Sequence, residues 1–172
     1  MDTLILVNEH DECTGFADKL TAHKLGLLHR AFSIVILKKE TNKTYMLLQR
    51  RALKKYHGAG LWSNSCCSHF LPGVKDHERL IARLKFEMGI ESSLSYIGKF
   101  QYFADLGTMR EHEIDHVYLG TVDSKTQPII NTDEVMEFAW VDVEVLKHEN
   151  LYNKKYSPWF AQVCAKVFKS LA

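Results

Sequence analysis

Ala31-Phe32-Ser33-Ile34-Val35-Ile36-Leu37 is a β-branched, nearly unbroken apolar run, and it reads as a strand buried on at least one face. After a polar stretch from Lys38 to Lys43 that contains Thr41-Asn42, Thr44-Tyr45-Met46-Leu47-Leu48-Gln49 completes a hairpin. Working outward, Leu4-Ile5-Leu6-Val7 reads as a short strand, with a turn over Asn8 to Glu12 and Gly15 beyond. Residues 16 to 29 have weak periodicity, so Lys19, His23 and His29 are expected on a short helix or loop. Downstream, Asp76 reads as the cap of a helix whose Leu80, Ile81, Leu84 and Met88 recur at helical spacing up to Gly89.

Strand character returns from Leu94 through Phe103, and again over Glu111-His112-Glu113-Ile114-Asp115-His116-Val117-Tyr118-Leu119 and Val135 to Val141. Val143 to His148 reads as a short helix, and Ser157-Pro158 as the opening of a last one with an apolar stripe from Trp159 to Leu171. No repeat, low-complexity tract or linker interrupts the pattern. The expectation is one mixed α/β (α+β) domain over residues 1–172.

Composition narrows the function. A chain of 172 residues with 46% hydrophobic side chains can bury a sizeable core without disulfides or structural metal. Its 22 basic and 21 acidic side chains leave a net charge of +1, so no overall field favours nucleic acid or an anionic membrane. Four irregularly spaced cysteines read as reduced thiols, and no stretch has the length of a membrane span or the pattern of a signal peptide. A soluble, cytoplasmic protein is expected. The oligomeric state is open, a monomer being the expectation.

Chemistry concentrates in Trp62-Ser63-Asn64-Ser65-Cys66-Cys67-Ser68-His69, where a thiol, an imidazole, a carboxamide and three hydroxyls share eight residues. His57-Gly58-Ala59-Gly60 reads as a flexible link into it, and Pro72-Gly73 as the turn that ends it. Two further features are open to two readings. The cations of Arg50-Arg51-Ala52-Leu53-Lys54-Lys55 form either a solvated face or an anion cradle. Strand alternation puts Glu111, Glu113 and Asp115 on one face, either a solvent-facing acidic edge or a site containing a cation. Arg83 and Glu87, one turn apart, read most simply as a surface ion pair.

His23, His29, His69, Glu111 and Glu113 could hold a divalent ion such as zinc or manganese, and the lack of paired CxxC motifs argues against a structural thiolate zinc. Cys67 near such an ion and Glu113 from another strand would supply an acid and a base. Arg50, Arg51, Lys55 and Lys19 could hold an anion, and a hard cation on Glu87 would suit a diphosphate.

From Lys19 to Trp159 these motifs resemble the type I isopentenyl-diphosphate isomerases of the Nudix superfamily. The resemblance runs through Leu28-His29-Arg30-Ala31-Phe32-Ser33, Gln49-Arg50-Arg51-Ala52, Trp62 to His69, Phe86-Glu87-Met88-Gly89-Ile90, Glu111-His112-Glu113 and Ser157-Pro158-Trp159. It implies a Nudix-type mixed β-sheet flanked by helices and the interconversion of isopentenyl and dimethylallyl diphosphate, an entry step to isoprenoids. It implies that His23, His29, His69, Glu111 and Glu113 ligate a divalent metal, Mn2+ or Zn2+. It implies Cys67 and Glu113 as proton-transfer residues assisted by Tyr102. Glu87, with the Cys67 carbonyl, would ligate a Mg2+ shared with the substrate diphosphate. Lys19, Arg51, Lys55, Ser68 and Arg83 would surround that diphosphate, and Trp159 would face the hydrocarbon.

Two departures accompany the resemblance. His23 and His29 lie one residue closer than in some bacterial members, and Phe70 replaces a common proline, a change expected to affect only loop shape. The alternatives are a Nudix diphosphate hydrolase and a noncatalytic metal-containing binding module. Aligned on Gly89, the hydrolase pattern needs acids where Val74, Arg83 and Phe86 stand, which argues against hydrolysis.

Overall fold

The computed structural model describes residues 2–55 and 57–172. In chain order the elements are β1 (Thr3–Val7), β2 (Cys13–Asp18), α1 (Lys19–Leu25), β3 (His29–Glu40), β4 (Lys43–Arg51), β5 (Trp62–Ser63) and β6 (Cys66–His69). There follow α2 (Asp76–Met88), β7 (Ser95–Asp105), β8 (Arg110–Val122), β9 (Val135–Asp142), α3 (Val143–Lys147) and α4 (Phe160–Leu171). The strands form one mixed sheet with β3 at its centre. β3 runs antiparallel to β6 from Ala31 to Ile34, parallel to β8 from His29 to Lys38, and antiparallel to β4 only from Leu37 to Glu40. The expected hairpin therefore exists, but its tip is a small part of what β3 pairs with.

Both faces of this strand are covered, which explains its continuous apolar run. On one face Phe32, Ile34 and Ile36 pack with Phe70, Leu80, Leu84, Met88 and Ile90, so α2 closes that side. On the other, Val35 and Leu37 pack with Met46, Leu48, Val117, Val143, Phe160, Val163, Cys164 and Val167, so α3 and α4 close it. Truncating a buried side chain such as Leu84 would remove about 2–5 kcal/mol. Gly89 ends α2 with φ 64°, and a Cβ there would lie 2.7 Å from the Ile129 carbonyl oxygen, so only glycine fits.

Several expectations need correction. His29 is not on the helix with His23 but opens β3, because Gly26 ends α1 in the left-handed conformation three residues earlier. β2 was not anticipated from Gly15; its residues alternate only weakly in burial, and pairing with β1 defines it. Lys75, not Asp76, is the N-cap of α2, and Asp76 lies in its first turn, where its charge still favours the helix dipole. The last helix begins at Phe160 with Trp159 as its N-cap, beyond Ser157-Pro158, and the Ser157 hydroxyl lies 2.9 Å from that of Ser63. Phe70 is core, 1% exposed and 4.9 Å from the Phe32 ring centre, so its effect goes well beyond loop shape.

Candidate active site

Sheet register builds the site. The parallel pairing sets His29 beside Glu113, the antiparallel pairing of β6 sets His69 beside Ala31, and β7 sets Tyr102 beside Glu113. Period-two alternation then aims His29, His69, Glu111, Glu113 and Tyr102 to one side of the sheet. His23 joins from α1, which Asp18 caps through the Thr21 amide at 2.9 Å. One ligand atom from each of His23, His29, His69, Glu111 and Glu113 falls within a cluster where all lie within 4.8 Å of one another, and all five residues are buried. Strand alternation thus yields a cluster that could hold a cation, and the reading of Glu111, Glu113 and Asp115 as an exposed edge is overturned: β8 lies between β3 and β7, and the three are 1%, 6% and 1% exposed.

The electrostatics match a metal centre. His23 and His29 place Nδ1 2.7 Å from the Lys19 carbonyl and 2.8 Å from the Leu27 carbonyl. Carbonyls only accept, so each Nδ1 carries its proton and each Nε2 can offer an electron pair. The Nε2 atoms of His29 and His69 both lie 3.2 Å from Glu113 Oε1. Glu113 Oε2 accepts a 3.0 Å bond from the Tyr102 hydroxyl. Neither Glu111 oxygen completes a hydrogen bond among the described residues: His23 Nε2 lies 3.5 Å from Oε2 and His57 Nε2 lies 2.6 Å from Oε1. Electron-pair donors therefore converge in a buried space, and three imidazoles with two carboxylates fit a first-row divalent ion.

Burial pushes the His69 imidazole down to about 3, against the pull of Glu113, which keeps the ring neutral. Burial also opposes charge on His29, but its bond to Glu113 and that carboxylate's charge outweigh it and raise the ring. Glu111 is held well below the usual carboxylate range: burial works against it, while Glu113, His23 and His57 prevail.

The thiol stands next to this centre. Cys66 and Cys67 are neighbours on β6 and so face opposite sides of the sheet. Cys66 donates to Glu87 Oε2 at 2.7 Å on the α2 side, whereas Cys67 Sγ donates to Asn64 Oδ1 at 3.1 Å on the α4 side. The Trp159 indole donates to both Asn64 Oδ1, at 3.2 Å, and Cys67 Sγ, at 3.1 Å. The Asn64 amide is itself fixed by the carbonyls of Ile34, 3.1 Å away, and Cys66, 3.0 Å away. Burial, followed by the nearby Asp115 charge, pushes the Cys67 thiol up to about 12, with Arg51 and Ser33 pulling the other way. Burial and then Glu113 raise the Tyr102 hydroxyl well above its ordinary value. Both groups keep their protons at neutral pH.

A pocket opens over these groups, and Lys19, Arg51, Lys55, Ser68, Arg83 and Trp159 contribute to its walls together with Cys67, His69, Glu111 and Glu113. The basic run is thus neither simply a solvated face nor wholly a cradle. Arg51 is 4% exposed with its guanidinium 5.4 Å from the Trp159 ring, while Arg50 pairs with Glu137 and Lys54 with Asp133 at the surface. Arg83 and Glu87 do pair, at 3.5 Å, but Glu87 is 1% exposed, so this is no surface ion pair. Glu87 is neither among the residues that line the pocket nor in the five-residue cluster.

Four contributors were not singled out by the sequence reading or were given only as scaffold. His57 was read as part of a flexible link, yet it lines the pocket and its Nε2 lies 2.6 Å from Glu111 Oε1. Glu134 pairs with Lys55 and sits 3.6 Å from Arg83. Arg79 donates to the His69 carbonyl at 3.0 Å and to the Ser68 hydroxyl at 3.2 Å. Asn64 is the acceptor that orients the thiol. Only Asn64 carried a signal, its place within the dense polar stretch; the others arrive from loops and a helix whose approach no local pattern encodes.

Comparison with known proteins gives this arrangement a family: residues 27–162 match the NUDIX domain. A crystal structure of a Deinococcus radiodurans protein superposes with TM-score 0.76 at 18% identity, covering 96% of this chain and 98% of that one. At sequence level the chain is 40% identical over 168 residues to "Isopentenyl-diphosphate Delta-isomerase 2" of Aromatoleum aromaticum, covering 96% of this chain and 86% of that protein. It is 42% identical over 166 residues to a protein of the same name from Photorhabdus laumondii, covering 94% and 90%. The chain belongs to the Nudix superfamily and, within it, to the isopentenyl-diphosphate Delta-isomerases.

Proposed function

We infer that the protein interconverts isopentenyl and dimethylallyl diphosphate, moving a carbon–carbon double bond by adding a proton at one carbon and removing one from another. The observation that carries this reading is the half-buried thiol of Cys67, protonated and held by Asn64 and Trp159, in the same pocket as Glu113 with its Tyr102 partner. Protonating an unactivated alkene makes a tertiary carbocation, which demands a proton donor, a base and exclusion of water. Cys67 and Glu113 serve as the two proton-transfer groups, exchanging roles with the direction of reaction, and Tyr102 steadies the Glu113 carboxylate. The Trp159 indole faces the cation and stabilises it without attacking it.

His23, His29, His69, Glu111 and Glu113 would hold a divalent ion, Mn2+ or Zn2+, which when bound supplies positive charge that sets the protonation of Glu113. Glu87, with the Cys67 carbonyl, would hold Mg2+ that accompanies the diphosphate. Lys19, Arg51, Lys55, Ser68 and Arg83 anchor that diphosphate, giving purchase on a substrate whose reacting end has no polar handle. Burial and then the nearby Lys55 charge lower the Lys19 ammonium, so an arriving diphosphate relieves repulsion among these cations.

The same reading takes residues 1–172 as one domain of a cytoplasmic protein that binds a small allylic or homoallylic diphosphate and neither nucleic acid nor membrane, acting as a monomer. Among the described residues, no helix is long and apolar enough to cross a membrane. The test is incubation with isopentenyl diphosphate and Mg2+, followed by NMR. Dimethylallyl diphosphate is the expected product, and Cys67→Ala and Glu113→Gln should each nearly abolish it while the protein stays folded. Full activity in either variant refutes the acid–base assignment, and release of inorganic phosphate or pyrophosphate points to hydrolysis.

A further inference from the structure

His57 belongs to neither the histidine and glutamate cluster nor the cationic wall, yet it touches both. Its Nε2 lies 2.6 Å from Glu111 Oε1. A carboxylate oxygen and an imidazole nitrogen so close repel unless they share a proton, which makes this a short polar contact although Oε1 completes no aligned hydrogen bond among the described residues. The two oxygens of Glu111 thus face different rings: Oε1 faces His57, and Oε2 the side where His23 Nε2 stands, 3.5 Å away. The His57 ring stacks on that of His23 with centres 5.1 Å apart and planes 21° apart, which fixes its orientation. Its carbonyl, in turn, accepts from Arg51 Nη2 at 3.1 Å. The next residue, Gly58, has φ 63°, and a Cβ there would come within 3.0 Å of the Arg51 side chain, so the loop seats closely on that arginine.

From this arrangement, the geometry points to His57 as a positioning residue that holds Glu111 in its orientation toward the divalent-ion site and ties that carboxylate to the diphosphate-binding Arg51. The inference rests on the metal-centre reading above. Partners that orient a metal-ligating carboxylate commonly change metal affinity when removed, by about 10- to 100-fold. In this protein the link is divided between side chain and backbone, so its two halves separate by mutation. His57→Ala removes the hold on Glu111 and leaves the carbonyl that meets Arg51.

The experiment titrates metal-stripped full-length protein with Mn2+ alone, reading free ion by electron paramagnetic resonance, for wild type, His57→Ala, His57→Gln and Glu111→Ala. Thermal midpoints confirm folding. The expected result is Mn2+ affinity weakened by roughly 10- to 100-fold in His57→Ala and largely recovered in His57→Gln, whose amide can donate to Glu111 from a similar reach. At saturating Mn2+ and Mg2+, His57→Ala should lower kcat for isopentenyl diphosphate and leave KM near wild type, because the Arg51 contact runs through the backbone. Wild-type Mn2+ affinity in His57→Ala, or a folded His57→Gln as weak as His57→Ala, overturns the role of His57 while Glu111→Ala still loses the ion. If Glu111→Ala binds Mn2+ as wild type does, the metal centre itself falls, and the His57 proposal with it.

Discussion

The acidic strand Glu111-His112-Glu113-Ile114-Asp115 and the basic run Arg50-Arg51-Ala52-Leu53-Lys54-Lys55 look alike in sequence, each a cluster of one charge sign. The fold treats them in opposite ways. In β8 the period of two sends all three acids into a closed face between β3 and β7, and each is buried. The basic run leaves β4 at Arg51 and turns, so its cations diverge: Arg51 inward, Lys55 to the pocket rim, Arg50 and Lys54 to surface partners. Regular strand geometry keeps a charge cluster together, and a turn disperses it. Burial of three carboxylates is expensive unless cations meet them, whereas dispersed lysines and arginines cost little.

Four experiments would break or sharpen this contrast. The largest effect concerns the thiol beside the acidic face. With Cys67 at about 12 from burial and the Asp115 charge, its thiolate is roughly a thousandfold scarcer at neutral pH than that of an ordinary cysteine. Iodoacetamide at pH 7.5 should modify exposed Cys13 and spare Cys67 in peptide maps, with Cys67 alkylation climbing as pH is raised from 8 to 11. Rapid alkylation of Cys67 at pH 7.5 would show the acidic face does not hold its proton.

Next, Arg51→Ala should lower kcat/KM by roughly 10- to 100-fold through lost charge-assisted bonds to the diphosphate, while Arg50→Ala stays within about threefold. Equal losses would mean the basic run acts as one cradle. A third test uses the reverse composition, one acid among basic side chains: Asp11 meets Arg30 at 2.9 Å, Lys99 at 3.0 Å and His116 at 2.9 Å. Burial works against its charge, but these partners hold the carboxyl below its usual value. A depressed folded value means the contribution is present above the unfolded value near 3.9 and fades as pH falls through the folded one. Asp11→Asn should therefore cost about 2 kcal/mol in urea unfolding at pH 7, and the gap should close below about pH 4. A gap that persists at pH 2 would assign the loss to packing. Smallest, Lys54→Ala should shift stability by no more than about 0.5 kcal/mol, its partner Asp133 being exposed too.

Much of the site could be read from the chain because its chemistry is local or lies on regular strands. Cys67, Ser68 and His69 are contiguous, and Glu111 and Glu113 are separated by one strand period. The strand over Ala31 to Leu37 was legible from its apolar run, since a central strand has two faces to bury. His29 was misplaced because weak periodicity between residues 16 and 29 did not distinguish a helix end from a strand start, and Gly26 as the left-handed cap resolves it only in three dimensions. His57 was hidden for a similar reason: glycines on either side of Ala59 advertise flexibility, yet Gly58 is closely seated against Arg51.

By itself the sequence determined which chemical groups the protein owns and which faces of its strands they share, because alternation and helical spacing are local rules. It also determined the family, through motifs whose order runs along most of the chain. Only the tertiary structure decided that the acids are buried, that neighbouring Cys66 and Cys67 serve opposite faces, and that His57 meets Glu111. Those outcomes depend on strand register and on which helices cover each face, and both are set by packing between residues far apart in the chain.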